Sequence, residues 1–375
     1  MFSSPTIAIG PVPLDAVVGG GPRKAVLVVS PHVADLDATR RIVGDVRRLD
    51  PSCRTLRAPP GIPTAAAAGA IVAEWPEGTD LVVAVGGGST IDLAKAARYL
   101  WSAGDGPGSR DPAPPLLVGV PTTGGSGAEA IDRVALGDPG GTGTQTPWIG
   151  PGVRPDRVLL DPEFVRSVPA LTARRCAFEA LAHAIEALVS DWANPFSDAL
   201  ARDALAGGIP AFQRLARQPR DAPARAEMHR TAAKAGLAAA SASLGLAHAL
   251  AIALASVAPA VPYAAWLPIT LPVVVEYNFA SSRDRHLGIG AMLPATTGPV
   301  GTMADRLREL ARSAGLPTDL AGLGVDGPEI LRRKEEIVAR TLRSPSTIGN
   351  PRVPSAGELA HLVDRLVPAP SGPVR

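Results

Sequence analysis

The sequence predicts two joined halves of different class, an α/β N-terminal half on a parallel sheet and an all-α C-terminal half. Three observations predict it. Residues 1–165 alternate short, continuously apolar runs with helix-length segments. Residues 166–375 carry helical patterns with no strong strand run among them. Three consecutive glycines, Gly86-Gly87-Gly88, stand where one apolar run ends and a helix begins.

The elements follow in order. Ala25–Val29 is apolar at every position, as in a strand covered on both faces, and Leu81–Val85 and Leu116–Val120 repeat the pattern. Helical stretches at 38–49 and 65–75 separate the first two runs, a rhythm that argues a right-handed α/β sheet. The Gly/Pro-rich stretch 104–115 reads as a surface loop. After Asp161-Pro162 the spacing predicts helices over 172–189, 196–205, 224–256, 301–315, 328–342 and 356–366, then a disordered tail from Val367.

A chain of 375 residues has room for two cores. Its 37 basic and 35 acidic side chains are interspersed, which removes the electrostatic case for nucleic acid or an anionic membrane. Two cysteines, Cys53 and Cys176, make no disulfide framework and no zinc-finger spacing. Met1–Pro13 lacks the pattern of a signal peptide, so a cytoplasmic address is expected. The uncharged stretch 235–275 is long enough for a membrane span. Its Ala/Ser content and Pro259, Pro262 and Pro268 instead read as a buried core segment.

The chemistry begins at the glycines. Gly86, Gly87 and Gly88, followed by Ser89 and Thr90, let a ligand approach the backbone, and a helix expected over 91–100, with Asp92 in its first turn, offers free N–H groups that suit a phosphate. The third apolar run ends in a second such loop, Pro121 to Glu129, with Thr122, Thr123 and Ser126 as hydroxyl donors. Two loops of this kind at neighbouring strand ends mark a ligand crevice. The first half is therefore expected to be a dinucleotide-binding domain (1–165), followed by a helical catalytic domain (166–375). In the latter, Glu179 and His183 stand four apart on one helix face, and His248 lies in another apolar helix. A carboxylate and imidazoles are donors for a divalent metal. Equally, they can form a buried hydrogen-bonded cluster without one.

These motifs resemble those of the iron-containing (group III) alcohol dehydrogenases. The resemblance rests on Gly86–Lys95, Pro121–Glu129, Glu179–Ala187 with Ala193–Asp198, Gly245–Ala249 and Asn350-Pro351-Arg352, in order along essentially the whole chain. It implies the dehydroquinate synthase-like architecture, NAD(P)(H) as cofactor and Fe2+ or Zn2+ as metal. In the family an Asp and a His one helical turn apart and two later histidines hold the metal. Here those places fall on Glu179, His183, His248 and, with one inserted residue, Tyr263, while a family histidine near the nicotinamide is replaced by Ile252. His183, His248 and Tyr263 are the expected acid–base groups, and Glu179, His183 and His248 the expected metal set. Glu186, one turn beyond His183, is a candidate to orient an imidazole.

The place of an acidic ribose-binding residue holds Ser30. With Arg57 or His32 nearby, this tilts the expectation to NADP(H), with NAD(H) open, and Gln145 stands near the place of a cofactor-holding lysine. His229, His286 and His361 are expected in solvent. The implied activity is an NAD(P)-dependent alcohol dehydrogenase or carbonyl reductase with a modified metal site. The implied substrate is a small-molecule or peptide alcohol of a tailoring pathway, handled by a homodimer or larger homo-oligomer. A dehydroquinate-synthase-like cyclase or lyase using NAD transiently, or a weakened binding subunit of a biosynthetic complex, are the alternatives.

Overall fold

In the computed structural model, residues 4–21, 23–105, 114–137, 145–150, 152–295 and 302–367 are described. Among the described residues, eight strands and five α-helices make up the first half, with a π-helical turn at Trp101–Asp105. The strands are β1 (Thr6–Ile9), β2 (Ala25–Val29), β3 (Arg54–Arg57), β4 (Leu81–Gly86), β5 (Leu116–Pro121), β6 (Arg133–Gly137), β7 (Gln145–Ile149) and β8 (Arg157–Leu160). The helices are α1 (Leu14–Val18), α2 (Asp37–Leu49), α3 (Ala65–Ala73), α4 (Gly88–Leu100) and α5 (Pro162–Arg166). Six strands form one sheet, ordered β1-β8-β5-β4-β2-β3, and every pairing in it is parallel. β6 and β7 make a separate antiparallel hairpin.

The apolar runs have the cause expected of them. In β2, Val26 and Val28 face a core shared with α3 and α4, while Ala25, Leu27 and Val29 face one shared with α1 and α2. β4 divides likewise, with Val82 and Ala84 on one side and Leu81, Val83 and Val85 on the other. A strand with helices on both faces has no polar side to show.

The second half is helical: α6 (Ala170–Val189), α7 (Pro195–Arg217), α8 (Ala222–Ala242), α9 (Leu246–Val257), α10 (Leu267–Asn278), α11 (Arg283–Met292), α12 (Met303–Ser313), α13 (Gly327–Arg332), α14 (Lys334–Arg343) and α15 (Ala356–Leu366). Its core gathers small and aliphatic residues, among them Ala180, Ala184 and Leu188 of α6 with Leu250 and Leu254 of α9. The helix placed at 328–342 is two, α13 and α14, and two further expectations change. The helix placed at 196–205 runs on through Pro210 to Arg217. The single helix placed at 224–256 is two helices, α8 and α9, bent by 103°. Ser243, with φ of +67°, makes the break, and Gly245 caps the new helix.

Among the described residues no single helix is long and apolar enough to cross a membrane, and only the bent pair α8–α9 approaches that composition. Most of the loop at 104–115 and the tail beyond Val367 lie outside the described residues.

Candidate active site

The first glycine loop joins β4 to α4, and the second leaves β5 beside it. Thr122 donates its N–H to the Gly86 carbonyl at 3.0 Å, which holds the loops together at their roots. A side chain at Gly88 would meet Ser126 Oγ at 2.5 Å, so only glycine allows this approach. Ser89 is exposed in the first turn of α4, where unpaired N–H groups and the positive helix end suit an anion. Asp92 accepts from Lys95 Nζ at 3.0 Å, and the same buried ammonium donates to the carbonyls of Ala128 (3.0 Å) and Arg133 (2.5 Å). One lysine therefore ties α4, the second loop and β6 into a unit.

The second loop also presses on the helical half. A Cβ on Gly125 would lie 2.7 Å from Cys176 Cβ and 2.8 Å from Glu179 Oε2 on α6. Gly127, at φ +61°, would meet the Gly236 Cα of α8 at 2.7 Å. The cofactor-type loop and the helices carrying the acid–base groups are thus in backbone contact.

The five ionisable groups there come from α6, α9 and that loop. Glu179, His183 and Glu186 lie on successive turns of α6, and all three are buried. His183 Nδ1 donates to the Glu179 carbonyl at 2.9 Å. The Glu186 carboxylate accepts the N–H groups of Gly245 (2.9 Å) and Ala247 (2.7 Å) and the Nδ1 of His248 (2.5 Å). Glu186 therefore caps α9 and sets the tautomer of His248, leaving Nε2 with its lone pair. The two rings lie 4.3 Å apart between centroids, and buried His248 Nε2 has no partner. Burial, then His248, hold His183 well below the ordinary histidine range.

Two carboxyls complete the cluster. Burial, followed by the neighbouring Glu129, pushes Glu179 up to about 8, and burial pushes Glu129 itself up to about 7. One oxygen of each is buried without a partner. Glu129 ends the second loop, and its signal in sequence was a lone carboxyl closing a run of glycines and hydroxyls. The role of Glu186 also differs in detail from the expectation, since it orients His248 from the far helix rather than its own neighbour His183.

The remaining expected residues are placed as follows. Ser30 is buried at the carboxyl end of β2, its N–H donating to Val85, and Arg57 is aligned with Val29 on the adjacent strand. Tyr263 lies on a short turn (Tyr263–Ala265) packed against α6 and α9, half-buried, and Ile252 is one turn beyond His248. Gln145 begins β7. His229 and His286 are corrections to the solvated reading. Both are 1 % exposed, His286 against Ser282 and His229 beneath the second loop, hydrogen-bonded to the Pro121 carbonyl. Only His361 is exposed as expected.

This arrangement has known counterparts. The model for iron-containing alcohol dehydrogenase matches residues 14–162, and that for the C-terminal part of the Fe-containing alcohol dehydrogenase family matches residues 175–367. This chain is a member of the iron-containing alcohol dehydrogenase family. An alcohol dehydrogenase of Thermococcus barophilus is 32% identical over 303 residues, covering 76% of each chain. The NADPH-dependent butanol dehydrogenase of Clostridium saccharobutylicum is 27% identical, again over 76% of each. The iron-containing alcohol dehydrogenase structure from Thermococcus thioreducens superposes with a TM-score of 0.83 at 27% identity, covering 98% of this chain and 99% of that one.

This iron-containing alcohol dehydrogenase relative is an oxidoreductase acting on CH–OH groups, and its family uses NAD(P) and iron. The glycine cradle and the α4 N-terminus fit a dinucleotide. The metal is a different matter. Among the described residues no three His, Cys, Asp or Glu side chains gather as a group able to hold a metal ion. Two imidazoles lie together, but Glu179 Oε2 sits against Gly125, and Tyr263 occupies the place of a further histidine. A catalytic metal takes three protein ligands and an open position. The donors as they stand in this structure do not fit that requirement, and the chemistry below uses the protein's own groups.

Proposed function

We propose that this protein is an NADP(H)-preferring alcohol dehydrogenase or carbonyl reductase that transforms a small-molecule or peptide alcohol in a biosynthetic tailoring pathway. The observation that carries this reading is the contact of the second glycine loop with α6, which sets a dinucleotide cradle against the imidazole–carboxyl cluster. Gly86, Gly87, Gly88, Ser89, Thr122, Thr123 and Ser126 are the groups to hold the diphosphate, and Ser30 with Arg57 favours a 2′-phosphate over a bare ribose. The bound nicotinamide carries the hydride.

The protein's share is the hydroxyl proton. His183 and His248 each have Nδ1 tied back to the chain and offer an unprotonated Nε2 as acceptor. Glu179 and Glu129, raised to about 8 and 7, exchange protons near neutral pH and serve as the store beyond the imidazoles. A cytoplasmic address and a homo-oligomeric state belong to the same proposal. The test is the change in nicotinamide absorbance with a panel of alcohols and aldehydes, with each cofactor, for the parent and a His248→Ala variant. Turnover by the parent and a loss of about a hundredfold or more in the variant are expected. No net absorbance change with any member of the panel removes the dehydrogenase reading.

A further inference from the structure

The motif Asn350-Pro351-Arg352 belongs to neither the glycine loops nor the acid–base cluster, yet its first residue touches the helix that carries His248. Buried Asn350 Oδ1 accepts the N–H of Leu246, in the first turn of α9, at 3.2 Å. That N–H stands between those of Gly245 and Ala247, which Glu186 accepts. The Asn350 amide is fully used. Its oxygen also accepts from Asn278 Nδ2 of α10 at 2.8 Å, and its own Nδ2 donates to Asn278 Oδ1 (2.8 Å) and the Arg352 carbonyl (2.7 Å). Two donors and two acceptor sites are all an amide has, so its orientation is fixed. Turned over, it would set an NH2 group against the Leu246 N–H. The approach is close enough to need glycine, since a Cβ on Gly245 would lie 2.8 Å from Glu186 Oε1 and 3.1 Å from Asn350 Oδ1. One on Gly349 would lie 2.8 Å from Ser243 Cβ, in the bend that precedes α9.

We propose that Asn350, braced by Asn278, is a positioning residue for His248, holding the first turn of α9 so that Glu186 stays on the imidazole. The inference rests on the dehydrogenase reading above, in which His248 accepts the hydroxyl proton. The reason lies in competition between donors. The N–H groups of Gly245, Leu246 and Ala247 and the Nδ1–H of His248 all open onto this helix end, and Glu186 serves each but that of Leu246. Asn350 serves Leu246. Without it a buried N–H loses its partner, a cost that favours a shift of the turn to recover one. Glu186 is the other acceptor at this end, and a carboxylate drawn towards Leu246 is drawn from the ring. His248 lies two residues beyond Leu246, so the shift moves the proton acceptor itself, and a small misplacement slows transfer. Asn278 ties the amide to α10, which also meets α9 directly where Thr270 Oγ1 donates to the Ala247 carbonyl at 3.1 Å.

The test compares the parent with Asn350→Ala, Asn278→Ala, the double variant and Thr302→Ala, which removes the N-cap of α12 and serves as a control for lost stability. Each is measured for kcat and KM on the best alcohol of the panel, for NADPH affinity by fluorescence and for melting. Asn350→Ala is expected to lower kcat about tenfold, with KM and NADPH affinity within about twofold. Asn278→Ala is expected to lose about threefold in the same way, and the double variant no more than Asn350→Ala, because the amides act as one unit. Thr302→Ala is expected to melt earlier with kcat within about twofold. Unchanged kcat in Asn350→Ala overturns the proposal, as does an equal loss in Thr302→Ala or a matching loss of NADPH affinity. If Asn350→Ala does not fold, Asn278→Ala decides by the same comparison. If the parent oxidises no alcohol, the dehydrogenase reading fails, and proton NMR decides the positioning. The His248 Nδ1 proton, assigned by its loss in His248→Ala, is expected downfield in the parent, shifted or lost to exchange in Asn350→Ala and unmoved in Thr302→Ala. No such resonance in the parent, or one unmoved in Asn350→Ala, overturns it.

Discussion

His229 is neutral in the folded chain because burial holds its pKa down to about 4, against the opposing pull of its bond to the Pro121 carbonyl. In the unfolded chain the imidazole titrates near the ordinary 6.5. The folded pKa is the lower one, so the unfolded chain binds the extra proton between those values. The stability is therefore fully present above about pH 6.5 and is lost as pH falls towards 4. A gap of this size corresponds to about 3 kcal/mol. Melting followed from pH 7 to pH 4.5 should show a steep acid limb in the parent and a shallower one in His229→Gln. Parallel limbs would show that the residue does not titrate there. In the sequence His229 is one of six histidines and stands near the start of a helical stretch. Gly124 packs against its backbone, where a Cβ would stand 3.1 Å from the His229 N, and a contact over a hundred residues of chain leaves no local mark.

At the scale of elements, what could be read from the sequence divides by where the cause lies. β2, β4 and β5 were legible because both their faces are covered and every residue shows it. β3 was not, since at this sheet edge Leu56 alone is buried and Arg54, Thr55 and Arg57 are exposed. β1 and β8, four residues each, are too short to carry a period. The bend between α8 and α9 was hidden for another reason. Its cap is Glu186, 59 residues before Gly245, and nothing local in Ser243-Leu244-Gly245 shows that a carboxylate waits there. The same carboxylate joins helix geometry to chemistry, because its bonds to Gly245 and Ala247 fix the imidazole it also orients. In Glu186→Gln a single carbonyl oxygen faces three donors, so at least one buried N–H meets an NH2 group. A loss of about 1–3 kcal/mol in denaturant unfolding is expected. Alcohol turnover should fall about 10–100-fold with NADPH affinity nearly unchanged, the pattern of a positioning residue. Unaltered turnover in a destabilised variant would leave Glu186 a cap and nothing more.

For the whole molecule, the site residues were legible as motifs but their distances were not. Glu129 and Glu179 lie fifty positions apart, one closing a loop of the α/β half and the other on α6, and Glu129 adds to the rise of the Glu179 pKa only because the halves touch at Gly125 and Gly127. A dinucleotide on the two glycine loops lies along this seam, so its binding should stabilise the chain as one unit. At a hundred times the dissociation constant the gain is about 2.7 kcal/mol. Which dinucleotide does so is decided at the other end of the crevice, where Ser30 follows β2 and Arg57 ends β3. An uncharged hydroxyl leaves room for a 2′-phosphate, and a guanidinium on the next strand attracts it. NADPH should therefore raise the melting temperature of the parent more than NADH at equal concentration. In Ser30→Asp the new carboxylate accepts from the ribose hydroxyl and repels the phosphate, so the order should reverse. If NADH stabilises the parent as well as NADPH does, Arg57 does not reach the phosphate, and the cofactor preference argued from Ser30 fails while the rest of the site stands.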